Sequence, residues 1–159
     1  SGTPSKSTWD VIERYKSGAN GAFAGTAPGD PLIDMVYGLK NAYRGGAAWG
    51  MNRKTLSEVR KLKDGDGNYL WQPNFQEMGA DRVVGFPVVE MEDMPDIANG
   101  SLSIAFGNFA TAYQIVDRQG IRLLRDPFTA KPWIKFYTTK RVGGDVVNFE
   151  AMNLMEFSS

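Results

Sequence analysis

The second half of the chain is a series of short runs rich in β-branched and aromatic residues, and this pattern constrains the fold most. Gly, Pro and Asp separate the runs, which read VVGFPVVEM, SLSIAFGNF, TAYQIVDR, GIRLLRD and WIKFYTTKRV. Runs of this length between turn residues predict β-strands. The dipeptide Gln119-Gly120 lies between two of them and predicts a hairpin turn. The last run, DVVNFEAMNLMEF, fits either a strand closing a sheet edge or a helix, because Phe149, Met152 and Met155 are three residues apart.

Two helices are predicted before these strands. The first covers 31–44, with Asp30 as N-cap and Pro31 in the first turn, and its apolar face comprises Leu32, Met35, Val36, Leu39 and Tyr43. After AAWGM, which we expect to be a buried strand, Asn52 is the N-cap of the second helix, RKTLSEVRKLK. Two early helices followed by mostly antiparallel strands define an α+β protein. Residues 1–30 are rich in Gly, Ser, Thr, Ala and Pro and predict a loop or extended arm.

The composition excludes several kinds of chemistry. The 159 residues include no Cys and no His. Disulfides, thiolate nucleophiles, zinc–sulfur sites and a Ser-His-Asp triad therefore cannot be built from this chain alone. Eighteen basic and eighteen acidic residues cancel, so net charge gives no reason to expect nucleic-acid or membrane binding. No apolar run has the length that a bilayer span needs. Composition favours a binding or structural role.

The stretch DGDGN, residues 64–68, alternates oxygen-bearing side chains with glycines, as calcium-binding loops do. An EF-hand loop requires Gly at its sixth position and Glu at its twelfth. Counted from Asp64, those positions hold Tyr69 and Phe75. We therefore predict a tight acidic turn after the second helix.

A second acidic stretch, EMEDMPD, contains Glu90, Glu92, Asp93 and Asp96. On a strand, Glu90 and Glu92 would lie side by side on one face. Paired carboxylates can perform acid–base hydrolysis where a cleft raises the pKa of one of them. The Met-Pro within this stretch instead indicates that the strand ends and turns there, so a hydrolase is the weaker interpretation.

The glycine-rich stretches GTAPGDP and RVGGD match neither the P-loop nor the dinucleotide fingerprint. Gly143-Gly144 is predicted to mark a bulge or a close backbone approach. The segment KFYTTKR mixes basic and aromatic residues, as surfaces that bind single-stranded nucleic acid do. Its strict alternation favours an ordinary strand.

Five segments, in order, carry a resemblance to a known family. They are PLIDMVYGLKNAYRGGAAW, MNRKTLSEVRKLKDGDGNYLWQP, GFPVVEMEDMPDIANGSLSIAFGNF, YQIVDRQGIRLLRDPFT and FYTTKRVGGDVVNFEAMNLM. Together they resemble the C-terminal portion of tailed-phage (prophage) major capsid proteins of the Hong Kong 97 type. The resemblance extends over about residues 30–157, and the order and spacing of the segments are more specific than any one of them.

The resemblance implies an α+β fragment of the Hong Kong 97-like capsid fold, with two main helices and two interleaved parts. Residues 46–132 would form an axial part near the symmetry axes, 31–45 and 133–159 a peripheral part, and 1–30 the remnant of a loop or arm. The implied function is that of a structural subunit of an icosahedral bacteriophage capsid. Such subunits self-assemble into hexamers and pentamers around the genome, in the bacterial host cytoplasm, and remain in the virion. Neither enzymatic activity nor a cofactor is implied.

The implied partners are copies of the chain itself, together with scaffolding or protease proteins of the phage. Asn108, in GNF, stands where the family often has Asp, which removes one charge. Some family members cross-link their subunits through Lys and Asn, but no such pair can be placed here. Interspersed charges in the last third form either surface ion pairs or subunit contacts, and we expect the interface to include Arg118, Arg122, Arg125, Arg141 and Asp145. The alternative function is a small calcium- or carbohydrate-binding β-rich module.

Overall fold

The computed structural model has two compact units and the expected α+β architecture. The smaller unit is Tyr113–Val147, and the larger unit contains the described residues up to Ala112 together with Asn148–Ser159. No helix in the described part of the chain has the length and apolar character needed to span a membrane. The structure describes residues 11–63, 66–70, 82–129 and 131–159.

The two predicted helices and the strands after them are present, but three short strands lie within residues 11–30, where a loop or extended arm was expected. The helices are α1 (Asp30–Gly38), α2 (Asn41–Arg44), α3 (Arg53–Arg60) and α4 (Phe109–Ala112), with a 3-10 turn at Phe149–Ala151. The strands are β1 (Glu13–Lys16), β2 (Gly18–Ala19), β3 (Ala22–Phe23), β4 (Ala48–Met51), β5 (Arg82–Val83), β6 (Phe86–Glu90), β7 (Leu102–Gly107), β8 (Tyr113–Asp126), β9 (Lys135–Val146) and β10 (Met152–Glu156).

Six strands of the larger unit form one sheet in the order β1-β10-β7-β4-β6-β5. The pairs β1–β10 and β4–β6 are parallel, and the other pairs of this sheet are antiparallel. The final run is therefore a strand, and its helical alternative is limited to the 3-10 turn. The expectation that this strand closes a sheet edge is wrong. β10 lies between β1 and β7, because Leu154, Met155 and their neighbours have strand partners on both sides.

The core lies between this sheet and the helices α1 and α3. Trp49 and Phe106 on neighbouring strands are fully buried, with ring centroids 4.4 Å apart. The indole Nε1 of Trp49 donates to the backbone oxygen of Val83 (2.9 Å), so its polar atom is satisfied within the core. Burying one such large side chain contributes roughly 1.5–3 kcal/mol. The apolar faces of the helices cover the strands with Leu32, Met35, Val36, Leu56 and Val59.

The first predicted helix is present but interrupted. Leu39 is extended (ψ 131°), so the predicted single helix is split into α1 and α2. The hydroxyl of Tyr15 lies against Gly38, where a Cβ would be only 1.8 Å from it. Arg44 donates from Nε and Nη2 to the carbonyls of Leu39 and Tyr37 (3.0 Å each), which satisfies acceptors that a continuous helix would have used. The N-cap is Gly29, not Asp30, which is the first helical residue.

The second predicted helix begins where the sequence places it. The side-chain oxygen of Asn52 accepts from the backbone N–H of Thr55 (2.8 Å), which is the geometry of an N-cap. Leu56 and Val59 are buried, as their spacing predicts.

The predicted hairpin turn at Gln119-Gly120 is wrong. β8 continues through this dipeptide to Asp126, and its antiparallel partner β9 begins at Lys135. β8 has 14 residues and β9 has 12, and the register shifts twice between Asp117 and Arg122. Two extra residues in one strand of a pair produce bulges, which bend the strand and increase its twist. The Gln-Gly signal therefore marks an irregularity inside a strand.

The expected axial and peripheral parts refer to positions in an assembled shell, and that assignment stays a prediction. Within the chain, β7 and β10 were expected in different parts, yet they share one sheet. The hairpin of β8 and β9 also spans the expected boundary between residues 132 and 133.

Backbone hydrogen bonds join the points where the chain leaves the larger unit and returns to it. The N–H of Asn148 donates to the oxygen of Ala112 (3.3 Å), and the N–H of Asn108 donates to the oxygen of Ala151 (2.8 Å). The side chain of Asn108 accepts from the N–H of Thr111 (3.2 Å). A neutral amide can make this contact at the start of α4 as well as a carboxylate can.

Gly107 permits this close approach. A Cβ at this position would lie 2.3 Å from the oxygen of Ala151 and 2.5 Å from the Cα of Met152. Backbone atoms cannot rotate away as a side chain can, so β7 and β10 would have to separate.

We expect Gly107→Ala to lower the free energy of unfolding by about 1–3 kcal/mol, because the added methyl overpacks a backbone contact. The matched control is Gly120→Ala, since nothing lies within 4 Å of the added Cβ there. Urea unfolding of both variants provides the measurement. Equal midpoints for the two variants would contradict the role given to Gly107.

Candidate subunit interface

The smaller unit is a single antiparallel pair, β8 and β9, and both of its faces carry exposed side chains. Residues directly opposite each other in such a pair lie on the same face of the sheet. The register Leu123↔Thr138 and Arg125↔Phe136 defines one face, and Arg122↔Thr139 and Leu124↔Tyr137 define the other. We call the first the apolar face of the hairpin; its apolar residues are Tyr113, Ile115, Leu123, Phe136, Val142 and Val146.

The apolar face is largely bare in the single chain. Ile115 is 70%, Leu123 64% and Phe136 60% exposed. Among the described residues, most of the exposed large apolar side chains belong to the smaller unit. Contiguous exposed apolar surface on a folded chain marks a protein interaction site. A two-stranded hairpin with neither face covered is also only marginally stable by itself.

The opposite face, which we call the polar face, includes three of the five charged residues expected at an interface. Arg122, Arg141 and Asp145 lie there, opposite Thr139, Gln119 and Gln114 respectively. The five expected residues are therefore not one cluster. None of them forms an ion pair with another described residue.

The other two expected residues lie elsewhere on the hairpin. Arg125 is on the apolar face opposite Phe136, and Arg118 is in the bulged part of β8, without a register partner. The ion pair that does form on the apolar face joins Lys140 to Asp117 (3.0 Å).

The tip of the hairpin presents two aromatic rings that the sequence patterns did not single out. Phe128 is 80% and Trp133 is 75% exposed. The carboxylate of Asp126 accepts from the backbone N–H groups of Phe128 (2.9 Å) and Thr129 (3.2 Å) and from the hydroxyl of Thr129. These bonds, that of the Thr129 hydroxyl above all, lower the pKa of Asp126. The local DPFT sequence is a signal for such an Asx turn, and it could have located the tip.

Gly143-Gly144 is not a bulge, but a close approach does occur at Gly144. Both glycines pair in regular register with Val116 and Ile115, and the bulges are in β8 instead. At Gly144 the Tyr113 side chain lies so close that a Cβ would be 2.6 Å from its hydroxyl. The close approach is therefore that of an aromatic side chain, where a backbone approach was expected.

Two of the four acids in the stretch at the end of β6 form ion pairs. Glu90 faces Arg53 (3.8 Å), and Asp96 accepts from Nζ of Lys54 (2.6 Å) and Nδ2 of Asn52 (2.7 Å). The hydrogen bond from Lys54, followed by that from Asn52, lowers the pKa of Asp96. A general acid needs a raised pKa, so the lowered pKa of Asp96 argues against that role.

The turn predicted at residues 64–68, after α3, is only partly within the described residues. Asp64 and Gly65 lie outside them, while Lys63 and Tyr69 form an antiparallel bridge across the reversal of the chain. Among the residues that the structure describes, no group of three or more acidic side chains could hold a metal ion.

We predict that Asp96→Asn lowers the thermal midpoint at neutral pH and that this difference disappears in acid. The folded-state pKa of Asp96 is below its ordinary value of 3.8, so its contribution is present above that value and is lost as the pH falls through the depressed pKa. Thermal melts of both proteins across that range measure the effect. A difference that is independent of pH would contradict this interpretation.

Comparison with known proteins identifies relatives along nearly the whole chain. The model of the phage capsid family matches residues 7–157. None of the curated proteins matches. The capsid of an empty GTA particle and that of a native GTA particle each share 43% sequence identity with this chain at a TM-score of 0.82. Each covers 98% of this chain, whereas this chain spans 53% of the first relative and 58% of the second.

More distant structures share the fold. A structure of Mycobacterium phage Patience has a TM-score of 0.56 at 14% identity; the match covers 91% of this chain and 45% of that one. The fold therefore persists where little sequence similarity is left.

Proposed function

Because the chain belongs to the phage capsid family, we propose that it acts as a structural subunit of an icosahedral bacteriophage shell, with copies of itself as partners. The observation that supports this most strongly is the bare hairpin of β8 and β9. The hairpin exposes apolar side chains on a unit too small to bury them, and a repeated neighbour would cover them.

Energetics favour a contact on the apolar face. A specific protein interface buries roughly 1,200–2,000 Å² in total, and its core is apolar and aromatic. The apolar face and the tip aromatics Phe128 and Trp133 supply such a core. The charges of the polar face, Arg141 and Asp145 among them, would form the rim, where they set orientation more than affinity.

The relatives support a proposal for the symmetry of the assembly. The GTA capsids were computed with C5 symmetry. Copies around a five-fold axis contact each other head to tail, so each copy uses two different surfaces. We propose rings of this kind, pentamers and hexamers, for the protein to which this chain belongs. In the same proposal the axial part is residues 46–132 and the peripheral part is 31–45 with 133–159.

The remaining features of the proposal follow from a shell that encloses a genome. The subunit would assemble in the bacterial host cytoplasm, with scaffolding or protease proteins of the phage as further partners, and remain in the virion. The role is structural and requires no catalysis.

We expect the double substitution Leu123→Asp/Phe136→Asp in the full-length protein to abolish shell formation. Two charges on the apolar face would have to be buried without partners at the contact. Negative-stain electron microscopy of the expressed protein shows shells or their absence, and circular dichroism checks that the subunit remains folded.

Val11→Asp is the control, because it places one such charge on an exposed apolar residue of the larger unit. Shells should form with this variant. Normal shells from the double variant would contradict the contact proposed for the apolar face.

A further inference from the structure

A groove of about 700 Å³ lies within the larger unit, between the start of α1, the end of α3 and the turn after β5. We call it the α1–α3 groove; its apolar lining includes Leu32, Ile33, Leu62, Leu70, Val83 and Val84. Three of these side chains form an exposed rim: Ile33 is 44%, Leu70 50% and Val84 45% exposed. A concave apolar surface of this size is typical of a binding site.

Val84, at the rim of the groove, is exposed and has a backbone conformation that is unfavourable for valine. Val84 and Gly85 form the two-residue turn between β5 and β6, with φ angles of +50° and +82°. Such a turn favours Asn or Gly at its first position, and a β-branched residue is strained there. Local folding does not explain the valine at this position.

Among the groove-lining residues that the structure describes, two carry positive charge and one carries negative charge. They are Lys63 and Arg82, and Asp30. Both cations are exposed, and neither forms an ion pair with another residue that the structure describes. An occupant with apolar side chains and acidic groups would complement this site.

The larger unit presents such a surface at another place. The N–H of Met94 donates to the oxygen of Met91 (3.1 Å), which closes a turn with exposed Glu92 and Asp93 at its centre. We call residues 91–94 the acidic turn. Neither of its acids forms an ion pair with another described residue. The two half-buried methionines and Val89, which is 45% exposed, add apolar surface beside them.

Within one copy the acidic turn cannot reach the groove. The turn is fixed to the start of α3, because Nδ2 of Asn52 donates to the oxygen of Met94 (3.0 Å). The groove lies at the other end of α3, beside Leu62 and Lys63. Eight helical residues separate the two ends by about 12 Å.

We propose that the α1–α3 groove binds the acidic turn of a second copy. Lys63 and Arg82 of one copy then pair with Glu92 and Asp93 of the next, and the methionines of the turn contact the apolar lining. Because groove and turn lie at opposite ends of one helix, the contact is head to tail and repeats from copy to copy. The inference rests on the proposed self-assembly and identifies one pair of surfaces in the ring.

A charge exchange between the two surfaces tests the contact in the 159-residue chain. Sedimentation equilibrium would compare the wild type with a groove variant, Lys63→Glu/Arg82→Glu, and a turn variant, Glu92→Lys/Asp93→Lys. Each variant alone should associate at least about tenfold more weakly than the wild type, since like charges then face each other. An equimolar mixture of the two should recover the wild-type affinity, because each groove again meets a turn of opposite charge.

The matched control is Arg14→Glu/Lys16→Glu, which makes the same charge change on β1, at the opposite edge of the sheet. This variant should associate like the wild type. Three results would overturn the proposal: unchanged association of the groove or turn variant, a mixture that does not recover, or a wild type that is monomeric at its highest soluble concentration. If the full-length protein still forms shells with the groove variant or the turn variant, the proposed contact is contradicted, whereas the proposed function still stands.

Discussion

The pairing of β10 with β7 holds the larger unit together, and the rest of the structure depends on it. Strands that are 45 residues or more apart along the chain meet here, with Met152 opposite Gly107 and Met155 opposite Ile104. Only a glycine at 107 allows the backbones to approach so closely. Once β10 is in place, β1 adds to its free edge and Phe157 is buried against Phe23, with ring centroids 5.1 Å apart.

The same pairing accounts for how a long hairpin can be inserted without disturbing the core. The chain leaves the larger unit at Ala112 and returns at Asn148, and one backbone hydrogen bond joins these two points. Burial is unevenly distributed as a result. Trp49 and Phe106 are fully enclosed in the larger unit, whereas Leu123 and Phe136 in the hairpin are exposed. Folding of the single chain stabilises the first pair and leaves the second exposed.

Local signals in the sequence identify a good part of this fold. Strands β4 and β7 follow from their apolar runs, and the start of α3 follows from the Asn52 cap, because neighbouring residues decide both features. Contacts from distant parts of the chain decide the features that were predicted wrongly. Tyr15 approaches Gly38 at the end of α1, and β10 takes an interior position because β1 pairs with its outer edge.

At the candidate interface, too, the sequence predicts some features and not others. The sequence indicates the charged residues of β8 and β9, but two bulges near Gln119 determine which of them share a face. Arg122 and Arg141 therefore share a face, whereas Arg125 lies on the opposite face. No local pattern shows that Phe136 is left uncovered, since the same alternation is typical of a strand packed on a core.

Hydrogen exchange measured on the free 159-residue chain and on shells of the full-length protein tests the central claim, which is that association covers the hairpin. In the free chain, amides of β8 and β9 should exchange much faster than those of β7 and β10, because a bare two-stranded pair opens at low free-energy cost. In shells the hairpin amides should become protected. Hairpin amides that are as protected as β7 in the free chain, or that gain no protection on assembly, would contradict the account.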